Sequence, residues 1–160
     1  MDPIQYRKAL GCFATGITVV TAVGPDGELI GITANSFASV SLDPPLVLFS
    51  LMRASYSLRA FLATETFAVN ILREDQEKIS RRFATPHKHK WAGIGYDVWD
   101  TGCPILHDAL AKFECKIRNN HEGGDHIIFI GEVLRFEYDP KGRPLVFYRG
   151  KYQAMSEGEE

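Results

Sequence analysis

Ile17-Thr18-Val19-Val20-Thr21-Ala22-Val23-Gly24-Pro25-Asp26-Gly27-Glu28-Leu29-Ile30-Gly31-Ile32-Thr33 is the stretch that decides the fold. Two runs rich in β-branched residues flank Pro25-Asp26-Gly27. Val, Ile and Thr favour the extended, pleated backbone. Proline presets the first corner of a turn, and glycine takes the positive φ that other residues resist. The stretch reads as a strand over Ile17 to Val23, a hairpin turn, and a returning strand over Glu28 to Thr33. So short a link allows only antiparallel pairing, because parallel neighbours need a crossover of about a dozen residues or more.

The same pattern recurs along the chain. Leu46 to Leu51, Phe67 to Leu72, Leu110 to Arg118, Ile127 to Phe136 and Leu145 to Tyr148 read as strands. Asp43-Pro44-Pro45, Glu122-Gly123-Gly124-Asp125 and Pro140-Lys141-Gly142-Arg143 punctuate them. Helices are few. Asp2-Pro3 reads as N-cap and first residue of a helix whose buried stripe is Tyr6, Leu10 and Phe13, with Gly16 as its end. Ser55 reads as the N-cap of a helix carrying Leu58, Phe61 and Leu62. Glu74 to Phe83 is a charged helix with Ile79 and Phe83 on its inner face. Residues 86–104 contain Pro86, Gly93, Gly95, Gly102 and Pro104 and read as a long, functional loop. At least six hairpin-linked strands with few helices predict a mainly β fold, an antiparallel barrel rather than a parallel sheet.

Bulk properties narrow the function. The 160 residues fit one domain. Net charge is −2 with no block of Lys and Arg, so nothing predicts a nucleic-acid partner. No apolar run approaches the ~20 residues of a membrane span. Met1-Asp2-Pro3-Ile4-Gln5 has neither a basic segment nor an apolar one, so no secretory signal is read there. Cys12, Cys103 and Cys115 are widely spaced and form no CxxC pair, which fits reduced thiols in a cytoplasmic protein.

Familiar catalytic signatures are missing. There is no GxGxxG, no GxxxxGK[ST] and no GxSxG. His87 and His89 lie between lysines that repel a cation. His121 and His126 flank a four-residue turn and could face each other across a hairpin, but no third ligand joins them, so no metal site is read.

Two stretches carry ligand chemistry. Between Gly31 and Ser50 a strand leaves the core through Thr33, Ala34, Asn35 and Ser36. Side chains this small let a flat ring approach the backbone, whose N–H and C=O groups match an edge of alternating acceptors and donors. A plain Ser- and Thr-rich surface loop has the same composition. In Ser50-Leu51-Met52-Arg53-Ala54-Ser55-Tyr56-Ser57, Arg53 offers a bidentate phosphate partner and Ser55 sits at the expected helix start, where free N–H groups attract anions. An ordinary N-cap beside a surface arginine reads the same way.

Five segments in order resemble the flavin reductase-like family, whose members include the reductase components of two-component flavin monooxygenases. They are Phe13 to Thr21, Asn35-Ser36-Phe37 through Pro44-Pro45, Phe67 to Leu72, Gly124-Asp125-His126, and Pro144 to Tyr152. The resemblance spans residues 4–152. It implies a split β-barrel of the FMN-binding type with a few peripheral helices, one domain over 1–152 and an acidic tail over 153–160. It also implies a homodimer.

The activity it implies is hydride transfer from NADH or NADPH to FMN or FAD, with reduced flavin passed to a separate monooxygenase. By position, Thr33, Ala34, Asn35 and Ser36 would line the flavin ring. Ser50, Leu51, Arg53 and Ser55 would hold the ribityl chain and phosphate. Phe83 and Lys90 would complete the pocket, and Trp91 stands where an aromatic residue, often Phe, is usual. His126 would face the nicotinamide as the one catalytic candidate, with Tyr148 and Tyr152 nearby. The alternative on the same fold is a flavoprotein electron carrier or ferric reductase that keeps its flavin.

Overall fold

The computed structural model describes residues 1–156. In chain order its elements are α1 (Pro3–Leu10), β1 (Thr15–Gly16), β2 (Thr18–Val23), β3 (Leu29–Ala34), β4 (Ala38–Leu42), β5 (Pro45–Met52) and α2 (Leu58–Ala63). They continue with β6 (Thr66–Ile71), α3 (Glu77–Ala84), β7 (Tyr96–Val98), β8 (Pro104–Leu106), β9 (Ala111–Gly123), β10 (His126–Tyr138), β11 (Val146–Tyr148) and β12 (Lys151–Gln153). The opening hairpin forms as read: β2 and β3 pair antiparallel from Thr18–Ala34 to Val23–Leu29.

Seven strands make the main sheet, in the order β3-β2-β6-β9-β10-β5-β4, and every pairing in it is antiparallel. Ile32 of β3, Val20 of β2, Phe67 of β6, Cys115 of β9, Phe129 of β10 and Phe49 of β5 all enter one buried cluster. β3 and β5 stand far apart in the strand order, so the sheet must roll to bring them to one core. The two edge strands, β3 and β4, are not paired with each other. The fold is therefore mainly β, a rolled antiparallel sheet that stays open along one seam.

β2 is buried on both sides. Val20 and Ala22 face the rolled core, while Val19 packs into a second cluster with Ile17, Leu72, Phe83, Leu106 and Leu145. Buried Asn70 joins the layers: its Nδ2 donates to Val19 O at 3.1 Å and its Oδ1 accepts from Leu106 N at 2.8 Å. A three-stranded sheet, β1-β11-β12, brings the C-terminal segment back beside Thr15.

Gly131, beside a register shift in the β9–β10 ladder, leaves room for the Phe67 ring. A Cβ there would lie 2.4 Å from Phe67 Cζ. Gly131→Ala is expected to cost about 1–3 kcal/mol by overpacking. A urea titration that leaves the midpoint in place would show that the ring has space to move.

Several readings change. Tyr6, Leu10 and Phe13 are exposed, at 53%, 56% and 79%, and α1 buries no residue. The stripe is amphipathic, but no element among the described residues covers it. Ser55 is not the N-cap: α2 is preceded by Ser57, whose N–H donates to Ser55 Oγ at 3.3 Å. The charged helix starts at Glu77 rather than Glu74. Gln76 just before it is buried and bonded to Arg73 N and His107 O. Residues 86–104 are not all loop, since Tyr96–Val98 pairs with β8.

The small-residue stretch after Asn35 continues as edge strand β4. The last long hairpin is tighter than read. β9 runs to Gly123 and β10 begins at His126, so His126 lies opposite Gly123 and His121 opposite Ile128. The two histidines do not face each other. Of the acidic tail, Glu157 to Glu160 lie outside the described residues.

Candidate functional site

The site builds from the tight β9–β10 turn. Gly124 takes φ 68°, the region a glycine occupies without penalty, and so reverses the chain over two residues. The turn places His126 opposite Met52 at the end of β5. The chain leaving β5 is tied to the same turn, because Arg53 N donates to Asp125 O at 2.8 Å. Arg53 then folds back: Nε donates to Gly124 O at 3.0 Å, and Nη2 lies 3.0 Å from Glu122 Oε1. His126 Nδ1 is 2.6 Å from Asp125 Oδ1. That bond holds the Asp125 carboxyl below the usual range and ties the Nδ1 edge of the ring to the turn.

Ser36 and Ser50 are locked together. Ser36 Oγ donates to Ser50 O and accepts from Ser50 N, both at 2.9 Å. This clasp pins the chain leaving β3 against the last residues of β5, two positions before its end at Met52. Leu51 points into the rolled core and is 6% exposed, so its backbone is what it can offer a ligand. Arg53, Ser36, Ser50 and His126 thus share one end of β5.

Thr33, Phe83, Lys90 and Tyr152 gather elsewhere, around α3. Thr33 Oγ1 donates to Ser80 O at 2.6 Å, and Ser80 Oγ shares a 2.8 Å hydrogen bond with the Tyr152 hydroxyl. Phe83 is buried against Gly31 and Trp91: a Cβ on Gly31 would meet the Phe83 ring at 2.5 Å. Lys90 Nζ lies 3.3 Å from Phe83 O and 3.4 Å from Gly31 O. Burial lowers its pKa. Tyr148, in β11, has the Arg149 guanidinium over its ring at 5.1 Å.

A cleft of about 330 Å³ is lined by residues 13–18, Asn35, Phe37 and Ile71, within the usual range for small-molecule sites. One of its residues, Thr15, has a buried Oγ1 with no hydrogen-bond partner among the described residues. An orphaned buried hydroxyl is costly unless something supplies a partner. A polar ring edge in the cleft would do so, and the small residues from Ala34 to Ser36 leave room for one. The residues present therefore fit a flavin.

Sequence reasoning missed Thr15 and Ser80 as site residues. Thr15 lay inside a quoted family segment, whereas nothing in the α3 sequence marked Ser80. Asp125 and Glu122 were also missed as the partners of His126 and Arg53. Among the described residues no group of three or more His, Cys, Asp or Glu could hold a metal ion. No described helix is long and apolar enough to cross a membrane.

Residues 10–156 match the family described as flavin reductase like domain. The chain belongs to that family. It is 45% identical over 152 residues to an FMN reductase (NADH), SmoA, of Agrobacterium fabrum, covering 95% of this chain and 86% of that one. It is 43% identical over 157 residues to HsaB, the reductase subunit of a flavin-dependent monooxygenase of Mycobacterium tuberculosis, covering 97% and 83%. The NADH:FAD oxidoreductase SgcE6 of Streptomyces globisporus, solved with NAD and FAD fragments, superimposes with a TM-score of 0.95 at 38% identity, covering 99% and 96%. The chain spans only 44% of the length of a probable flavin reductase of Rhizobium meliloti, at 46% identity over 136 residues.

Proposed function

We propose that this chain is an NAD(P)H:flavin oxidoreductase that reduces FMN or FAD and supplies a separate flavin-dependent monooxygenase. The observation that carries the reading is the joint at the end of β5, where one hairpin brings Arg53 and His126 together beside the small residues leaving β3. The relatives support the same reading: one is named for FMN and NADH, one as a monooxygenase subunit, and one was solved with NAD and FAD fragments.

The bound flavin supplies the electron-accepting ring. The protein's part is binding and orientation. Ala34, Asn35 and Ser36 present backbone to the ring, and the Ser36–Ser50 clasp fixes their position. Thr15 lines the cleft, and its buried Oγ1 lacks a partner among the described residues. Ser50, Leu51, Arg53 and Ser55 hold the ribityl chain and phosphate, with Arg53 supplying the charge. His126, oriented by Asp125, offers its Nε2 edge to the nicotinamide amide. Thr33, Phe83, Lys90 and Tyr152 shape the wall on the α3 side, and Tyr148 stands near the β1 end.

A second copy of the chain covers the exposed apolar side chains of α1, together with Val40 and Leu42 of β4 and Leu134, Phe136 and Tyr138 of β10. The working form is then a homodimer, placed with its reduced thiols in the cytoplasm.

The test is NADH and NADPH oxidation with FMN and FAD added in turn. Consumption that requires added flavin supports a reductase with an exchanging flavin. No consumption with any pair, or colour retained through dialysis and electrons passed to ferric iron, would reject it for the carrier alternative. His126→Ala should raise the KM for NADH by roughly threefold to tenfold, the worth of a hydrogen bond, and leave flavin binding unchanged. Unaltered kinetics would remove His126 from the nicotinamide site.

A further inference from the structure

One of the two-donor edges through which Arg53 could grip a phosphate is already engaged. An arginine grips a phosphate through two parallel N–H donors, and one such pair is the Nε–Nη2 edge. Here that edge is in use: Nε donates to Gly124 O at 3.0 Å and Nη2 to Glu122 Oε1 at 3.0 Å. The backbone bond from Arg53 N to Asp125 O at 2.8 Å keeps the base of the side chain at the hairpin. Glu122 comes from the same hairpin, and its side chain is 86% exposed while that of Arg53 is 43% exposed. Water therefore competes for both partners, so the contact is weak and easily opened. A phosphate approaching this edge must displace the Glu122 carboxylate from Arg53.

We infer that Glu122 is an affinity-setting residue, a tethered carboxylate that competes with the flavin phosphate for Arg53 and keeps the flavin exchangeable. The inference rests on the assignment of the flavin phosphate to Arg53. It gives a physical reason for a reductase to release its flavin: the carboxylate that returns to Arg53 is always within reach, at an effective concentration set by a short hairpin. An exposed pair of this kind lowers affinity modestly, which suits exchange better than a buried lock.

The test measures FMN and riboflavin binding to the full chain by flavin fluorescence, with Glu122→Gln, Arg53→Ala and the double variant. Riboflavin lacks the phosphate. Glu122→Gln is expected to lower the Kd for FMN roughly twofold to fivefold, to leave riboflavin unchanged, and to have no effect when Arg53 is already alanine. FMN binding that is unchanged or weaker in Glu122→Gln overturns the inference while leaving Arg53 at the phosphate. So does an equal gain for riboflavin, or a gain that persists without Arg53, since either places the effect away from the Arg53–phosphate contact. If Arg53→Ala itself leaves FMN binding unchanged, the phosphate assignment fails, and the role of Glu122 fails with it.

Discussion

Arg53→Ala weakens FMN binding by roughly 10- to 100-fold, the worth of charge-assisted hydrogen bonds to a phosphate. Hydride transfer at saturating flavin stays within about twofold, because a contact made equally before and during the reaction sets affinity and not the chemical step. The split follows from the geometry. Arg53 is tied to the hairpin turn beside His126 and is not among the residues that line the ring-sized cleft around Thr15 and Asn35. Titration of FMN into the variant, followed by single-turnover reduction, separates the two quantities. Equal loss in both would move Arg53 from the phosphate to the reacting centre.

Phe49→Ala is expected to cost about 3–5 kcal/mol, the range for emptying a buried aromatic site. Phe49 is fully buried at the middle of β5. Its ring stacks on Phe129 at 5.0 Å and 8°, and meets Phe67 and Phe61 edge-on at 5.0 and 5.5 Å. Those three rings come from β10, β6 and α2, so one side chain links the strands that carry the site to the opposite wall and the helix. For a domain of this size the melting temperature should fall by roughly 6–20 °C. A shift under 2 °C in a thermal melt would mean that the neighbouring rings collapse into the space. Flavin affinity should also suffer near the transition, because the Ser36–Ser50 clasp sits one residue along the same strand.

The two variants mark the division of labour along β5. Inward residues such as Phe49 and Leu51 hold the rolled sheet, and the strand's end delivers Arg53 to the hairpin. Strand alternation makes both possible in one segment, because successive side chains take opposite faces.

Much of this protein was legible from local chemistry. The β-branched runs and Pro-Asp-Gly turn specified the first hairpin, and repeated punctuation specified an antiparallel β fold, because period and turn residues act over a few positions. The family segments, in order, pointed to the strip from Thr33 to Ser36 and to Arg53 and His126. What no local pattern carried was decided by contacts between distant segments. Tyr6, Leu10 and Phe13 formed a regular stripe, yet regularity does not say whether the same chain supplies the covering surface, and the described residues do not. The spacing of His121 and His126 allows them to face each other, but the tight turn sets a register that pairs them with Ile128 and Gly123, and a small shift in pairing changes which residues stand opposite. Phe83 and Thr33 proved to be bound up with Gly31 and Ser80 through helix α3. The Arg53–Glu122 and His126–Asp125 pairs exist only because a two-residue turn folds four charged or polar groups into one place. Backbone preferences are local and can be read residue by residue, whereas burial and pairing depend on which surfaces meet, and that is settled only when the sheet rolls.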